Sequence, residues 1–155
     1  MKAARGVWHN QAIPYEADFS LNGDLSELER LAAEISRFCN ENSLDEEAGF
    51  QLNLALEELF VNAVRHGGCE GVADSARVRL LATSGGVQVE FADRGLPFDP
   101  TAAPPANIHA HLEERHGSGL GIHLVREIMR DLCYQRKGEW NRMTMRRPPA
   151  QPAAS

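Results

Sequence analysis

The chain is poor in the features that a membrane protein, a secreted protein or a stapled mini-domain depends on. It has three cysteines, Cys39, Cys69 and Cys133. They are too few and too scattered for a disulfide framework or a zinc site. A reducing cytoplasm is the simplest home for such a chain. No stretch reaches the ~18 consecutive apolar residues that span a bilayer. The opening MKAARGVWHNQ lacks the apolar core of a signal peptide. Positive charge is also short: 16 Lys+Arg stand against 22 Asp+Glu, a net −6 at neutral pH. That balance speaks against a general nucleic-acid binder. What remains is an ordinary globular composition, 43% hydrophobic and 25% charged over 155 residues. A single domain of that length buries roughly 68–70% of its unfolded surface and needs no staple.

No internal repeat is present. Residues 15–21 (YEADFSL) read as a strand, and Asn22-Gly23-Asp24 punctuates the chain after it. Residues 25–42 place Leu25, Leu28, Leu31, Ala32, Ile35 and Phe38 at helical spacing. Ser43 or Asp45 can cap a second helix, with Glu46 and Glu47 in its positive first turn. That helix is expected to run to about His66, where Gly67-Gly68 stops it. Residues 77–83 and 87–92 form a hairpin signal across Ser84-Gly85-Gly86. A long Pro-, Ala-, Gly- and His-bearing loop, 94–118, follows, with His109, His111 and His116 in it; loops this long are usually functional. A third helix opens near Gly119 and reaches about Met129. Residues 132–137 and 140–146 alternate as a closing hairpin around Lys137-Gly138-Glu139. The expected architecture is α+β, a two-layer α/β sandwich whose mostly antiparallel mixed sheet is covered on one face by helices. Residues 1–14 form an N-terminal segment without a legible motif. Residues 147–155 (RPPAQPAAS) read as a disordered tail.

Three stretches carry chemistry. On helix two, Glu58 and Asn62 are four apart and share a face, with His66 four further on. A carboxylate beside an amide oxygen suits Mg²⁺, and the carboxylate can alternatively take a proton from an incoming nucleophile. The bland alternative is a solvated polar face. In the second stretch, Asp93-Arg94-Gly95 closes an apolar strand and leads to Phe98-Asp99-Pro100. The acid can point into a pocket while the glycine admits a ligand to the backbone, and a carboxylate accepts from an exocyclic amine such as adenine's. An ordinary Asp-x-Gly turn is the bland alternative. The third is His116-Gly117-Ser118-Gly119-Leu120-Gly121, three glycines at alternate positions opening a helix. Backbone N–H groups and the positive helix end there make a phosphate cradle. It is neither the G-x-G-x-x-G dinucleotide fingerprint nor a Walker A loop.

Taken in order, these stretches resemble the boxes of the ATP-binding superfamily shared by gyrase, the heat-shock chaperone ATPase, histidine kinases and MutL. Glu58-x-x-x-Asn62-Ala-x-x-His66 resembles the N box, Asp93-x-Gly95 with Phe98-Asp99-Pro100 the G1 box, and Gly117-x-Gly119-Leu-Gly121 the G2 box. Within that superfamily the chain is most similar to stand-alone anti-sigma serine-protein kinases of the RsbW/SpoIIAB type, over about residues 15–146. Asn141-Arg142-Met143-Thr144-Met145 is similar to their final strand. The resemblance implies a Bergerat-type ATP-binding fold over 15–146. It implies that Asn62 coordinates Mg²⁺, that Glu58 is the general base, and that Asp93 reads the adenine amine. Gly95 and Phe98 belong to the same cofactor-binding set. It implies that His116, Gly117, Ser118, Gly119, Leu120 and Gly121 wrap the phosphates, with Arg65 and His66 close to them. One departure is Leu96-Pro97 after Gly95, where the family has a second glycine; it stiffens the first hinge of the ATP lid.

The activity implied is Mg²⁺-assisted γ-phosphoryl transfer to serine, where catalysis is mostly positioning and charge neutralisation. The implied partners are a sigma factor or other regulated protein and, as substrate, a STAS-domain antagonist. The implied assembly is a homodimer in the cytoplasm, without direct contact to nucleic acid or membrane. The alternative is a non-catalytic ATP-binding partner-switch module. A detached histidine-kinase catalytic domain fits less well, because the dimerising helical pair has no room before residue 15. A gyrase- or MutL-like ATPase fits less well because the large transducer domain is missing.

Overall fold

The computed structural model describes residues 13–102 and 120–151. The first strand, β1, is Glu16–Leu21. Its inward side chains Ala17, Phe19 and Leu21 alternate with solvent-facing Glu16 and Asp18, the period of a half-buried strand. The Asp24 side chain then accepts from Ser26 N–H and starts a 3-10 turn over Leu25–Glu27. Helix α1 begins only at Leu28 and runs to Glu41. The continuous helix expected over 25–42 is therefore a tight turn followed by a helix, since Asp24 caps the 3-10 turn and not the helix itself.

Helix α2 is Glu46–Arg65, and Asp45 is its cap: Oδ1 accepts from Ala48 N–H at 2.8 Å. Ser43, the alternative cap, sits in the loop before it with φ 52°. Leu52, Ala55, Leu56, Leu59, Phe60 and Ala63 form the buried stripe. Gly67 and Gly68 end the helix, and the positive φ of Gly68 (79°) is one glycine adopts without strain.

Strands β2 (Ala76–Thr83) and β3 (Gly86–Asp93) form the expected hairpin. Helix α3 is Leu120–Ile128, and strands β4 (Arg130–Lys137) and β5 (Trp140–Arg147) close the fold. The sheet order is β1-β2-β3-β5-β4. A mixed component was expected, yet every described pairing is antiparallel, because each of the two hairpins folds back and β5 enters beside β3 in the opposite sense. β5 also extends one residue past the expected end. Arg147 is buried, donates to Gln51 Oε1 at 3.0 Å and lies 4.0 Å from Asp45, which ties the last strand to the start of α2. Of the segment read as a disordered tail, residues 152–155 lie outside the described residues.

The helices cover one face of the sheet. Phe19, Val78, Phe91 and Met143 form one cross-strand row beneath them, and Ala17, Leu80, Val89 and Met145 another. The opposite face carries ion pairs instead of apolar rows: Arg77–Asp18, Arg79–Glu16 and Arg142–Glu90. Such exposed pairs contribute about 0–1 kcal/mol each, so stability lies in the helix-covered core.

Candidate active site

The end of the core nearest β2's first residue and β3's last departs from the apolar pattern. The inner row there runs Leu21, Ala76, Asp93, Asn141, Arg136 across all five strands. Asp93 therefore takes the position on β3 that Val89 and Phe91 take in the rows before it. A carboxylate that continues an apolar strand toward a buried face is desolvated. Burial raises its pKa, while hydrogen bonds from Asn141 and Gly95 and the charge of Arg136 pull it back down.

The geometry around Asp93 is tight. Gly95 N–H donates to Oδ1 at 2.8 Å and Asn141 Nδ2 donates to the same oxygen at 2.9 Å. Among the described residues Oδ2 receives no hydrogen bond. A Cβ on Gly95 would stand 2.7 Å from Asp93 Oδ1 and 2.9 Å from Gly67 O, so the approach requires glycine. Leu96 N–H donates to Gly67 O at 2.8 Å. That bond joins the segment after β3 to the end of α2. It brings the Asp93 turn to the last turn of the helix that carries Glu58 and Asn62.

Glu58 lies on α2 at half burial and meets a different neighbour. A Cβ on Gly121 would overlap Glu58 Oε2, so the carboxylate packs directly on the first turn of α3. Burial is the main reason its pKa is raised, and the adjacent Glu57 charge adds to it. Among the described residues its oxygens accept no hydrogen bond. Among the described residues it is a desolvated carboxylate without fixed donors, against the first described turn of α3.

These contacts join the described parts of the stretches singled out in the sequence. Glu58 meets Gly121, Asp93 meets Gly95, and Asn62 is on α2 between them, half-buried. Arg65 and His66 are exposed at the C-terminal end of α2, and Phe98 is exposed beyond Gly95. No hydrogen bond or ion pair among the described residues joins these three to either carboxylate. His116, Gly117, Ser118 and Gly119 lie outside the described residues, as do His109 and His111. Leu120 opens α3.

The family assignment follows from comparison with known proteins. Residues 21–147 match the histidine kinase-like ATPase domain. The chain belongs to that family. It is 32% identical over 96 residues to the serine/threonine-protein kinase BtrW of Bordetella bronchiseptica, across 62% of this chain and 68% of that one. The solved structure of the RsbU and RsbW domains of Rv1364c from Mycobacterium tuberculosis shares the fold, with a TM-score of 0.66 at 16% identity. The match covers 90% of this chain and 34% of that one, so the chain spans about a third of that structure. The α+β sandwich expected from the sequence is thus the family's fold.

Sequence reasoning placed Asn141 in the final strand but missed its contact with Asp93, and it missed Tyr134 and Arg136 altogether. Tyr134 O–H donates to Asn141 Oδ1 at 2.6 Å and Arg136 Nη1 donates to it at 3.1 Å. Arg136 Nη1 also donates to Gly95 O at 2.7 Å. The signal available was phase: Asn141 shares the inward side of β5 with Met143 and Met145, and a polar residue in an inward register needs partners.

Proposed function

We propose that this histidine kinase-like ATPase domain is an ATP-dependent serine-protein kinase that acts by partner switching. Its substrate is a serine of a STAS-domain antagonist, and its regulated partner is a sigma factor or another protein of that role. It works as a homodimer in the cytoplasm. The observation that carries the kinase reading is the contact of the Glu58 carboxylate with Gly121. It puts a proton acceptor of raised pKa against the helix start that the G2 glycines lead into. The name of BtrW supports serine/threonine kinase chemistry, and the intact Glu58 favours it over a non-catalytic module. No described helix is long and apolar enough to cross a membrane.

The residues present fit the substrate. Asp93 offers a desolvated acceptor to the adenine amine, and Gly95 admits the base to the backbone. They also fit the metal. Among the described residues no group of three His, Cys, Asp or Glu could cage an ion. A single amide oxygen on Asn62 suits Mg²⁺, which keeps several waters and shares phosphate oxygens. When bound, Mg²⁺ neutralises charge on the phosphates. Glu58 accepts the proton of the serine hydroxyl as that oxygen bonds to the γ-phosphorus, and ADP leaves. Desolvation helps here, because a carboxylate of raised pKa is a stronger base.

The test is calorimetric titration of Mg-ATP into wild type and Asn62→Ala, with GTP as control, then labelled ATP with candidate STAS-domain proteins. Saturable ATP binding weakened by Asn62→Ala, and label on serine, support the reading. Phosphate release without a protein acceptor would make the chain an ATPase. Binding without transfer or release would make it a partner-switch module.

A further inference from the structure

Asn141 is the most densely bonded side chain at the site, and it meets the Asp93-x-Gly95 box directly, at the Asp93 carboxylate and at the Gly95 carbonyl. It is 6% exposed, so water does not compete for its hydrogen bonds. Its two ends face different chemistry. On one side stand two donors, the Tyr134 hydroxyl at 2.6 Å and the Arg136 guanidinium at 3.1 Å. On the other stand three acceptors: Asp93 Oδ1 at 2.9 Å, Leu96 O at 2.9 Å and Gly95 O at 3.3 Å. A flipped amide would set its NH₂ against the Arg136 guanidinium, which can only donate, and its oxygen against three acceptors. The network therefore fixes one orientation, with NH₂ toward Asp93.

We infer that Asn141 is a positioning residue for base selectivity: it saturates Asp93 Oδ1 so that Oδ2 alone meets the purine 6-position, and it locks that carboxylate to the Gly95–Leu96 root of the segment beyond. This rests on the adenine-reading role proposed for Asp93. With Oδ1 occupied by the Gly95 N–H and the Asn141 amide, Asp93 presents an acceptor. It attracts the 6-amino group of adenine and repels the 6-oxo group of hypoxanthine. Tyr134 and Arg136 act one step further out by holding the amide. ATP and ITP carry the same ribose and triphosphate, so their affinity ratio isolates the 6-position from every phosphate contact.

The experiment measures Kd for ATP and ITP on the full chain in wild type, Asp93→Asn, Asn141→Asp and Tyr134→Phe, with thermal unfolding beside each. Asn141→Asp keeps the shape and the acceptor for Tyr134 and Arg136 but loses the NH₂. It is expected to weaken ATP about 10-fold or more and to bring the ATP:ITP ratio toward one. Tyr134→Phe, which leaves Asp93's own donors in place, is expected to lower the ratio about 2–3-fold. Where Asn141→Asp does not fold, Tyr134→Phe carries the test. If wild type prefers ATP and Asp93→Asn abolishes the preference, yet the Asn141 and Tyr134 variants keep the wild-type ratio, the inference is overturned and the Asp93 reading stands. Equal weakening of ATP and ITP would show a merely structural role and also overturn it. A wild type that binds both alike, or neither, overturns the Asp93 reading itself.

Discussion

Burial pushes both carboxylates of the site up in pKa, but they are partnered differently. Asp93 ends a strand and is held by a backbone N–H, an amide and, one residue further, a guanidinium. Glu58 sits mid-helix against a glycine, with a second acid beside it and no donor among the described residues. The difference matches two kinds of work. A carboxylate whose lone pairs are fixed can discriminate between donors and acceptors on a ligand. A carboxylate without fixed donors, its charged form disfavoured, is ready to take a proton. In the proposed reading, recognition falls to the strand end and chemistry to the helix face.

The largest expected effect comes from breaking the Glu58 side alone. Glu58→Gln keeps size and removes basicity, so transfer to serine should fall about 10²–10⁴-fold, with ATP affinity near wild type. Single-turnover transfer and calorimetry on the same preparation check both halves. Equal loss of binding and transfer would erase the division of roles. The converse variant is Asp93→Asn. It should weaken ATP about 10–100-fold, the worth of a hydrogen bond to a charged group, and weaken GTP far less. Unchanged nucleotide preference would remove Asp93 from the adenine pocket.

Gly121→Ala sharpens the comparison from the other element. The new Cβ would occupy the place of Glu58 Oε2, so the carboxylate must swing away from the start of α3. Transfer is expected to drop about 10-fold or more, as misplacement of a reacting group does. Gly95→Ala should act on ATP affinity instead, because its Cβ meets Asp93 Oδ1 and Gly67 O. If both variants damaged only affinity, Gly121 would be a phosphate contact and not a support for Glu58.

The fold was legible where local chemistry decides. Asp45 and the glycine pair at 67–68 set the ends of α2, and Ser84-Gly85-Gly86 set the β2–β3 turn. Alternation set β1 and β5. The boxes were legible as types and spacings. Their contacts were not, because they depend on register between distant strands. Asn141 meets Asp93 across 48 positions of chain, and only the β3–β5 pairing places them opposite each other. The same holds for Glu58 and Gly121, which meet because α2 and α3 pack side by side. Arg147 was assigned to the tail from the prolines after it. The partners that bury it, Gln51 and Asp45, lie on and just before the first turn of α2.

The smallest effect is on stability, and its sign follows from the Glu58 environment. Burial and Glu57 raise the folded-state pKa of Glu58 above its unfolded value. Below the unfolded value the group is protonated in both states, and its contribution to stability is fully present. As pH rises through the folded value, the folded protein must charge a desolvated carboxylate, and that contribution is lost. Glu58→Gln removes the loss. The variant should therefore gain in Tm over wild type at neutral pH, and the gain should shrink toward pH 4. Measuring the difference between the two proteins cancels every other titrating group they share. The transfer rate of wild type should show the same group from the other side, with its acid limb above the usual carboxylate range. A Tm difference that is flat with pH would mean that Glu58 is solvated after all, and the contrast with Asp93 would lose its catalytic half.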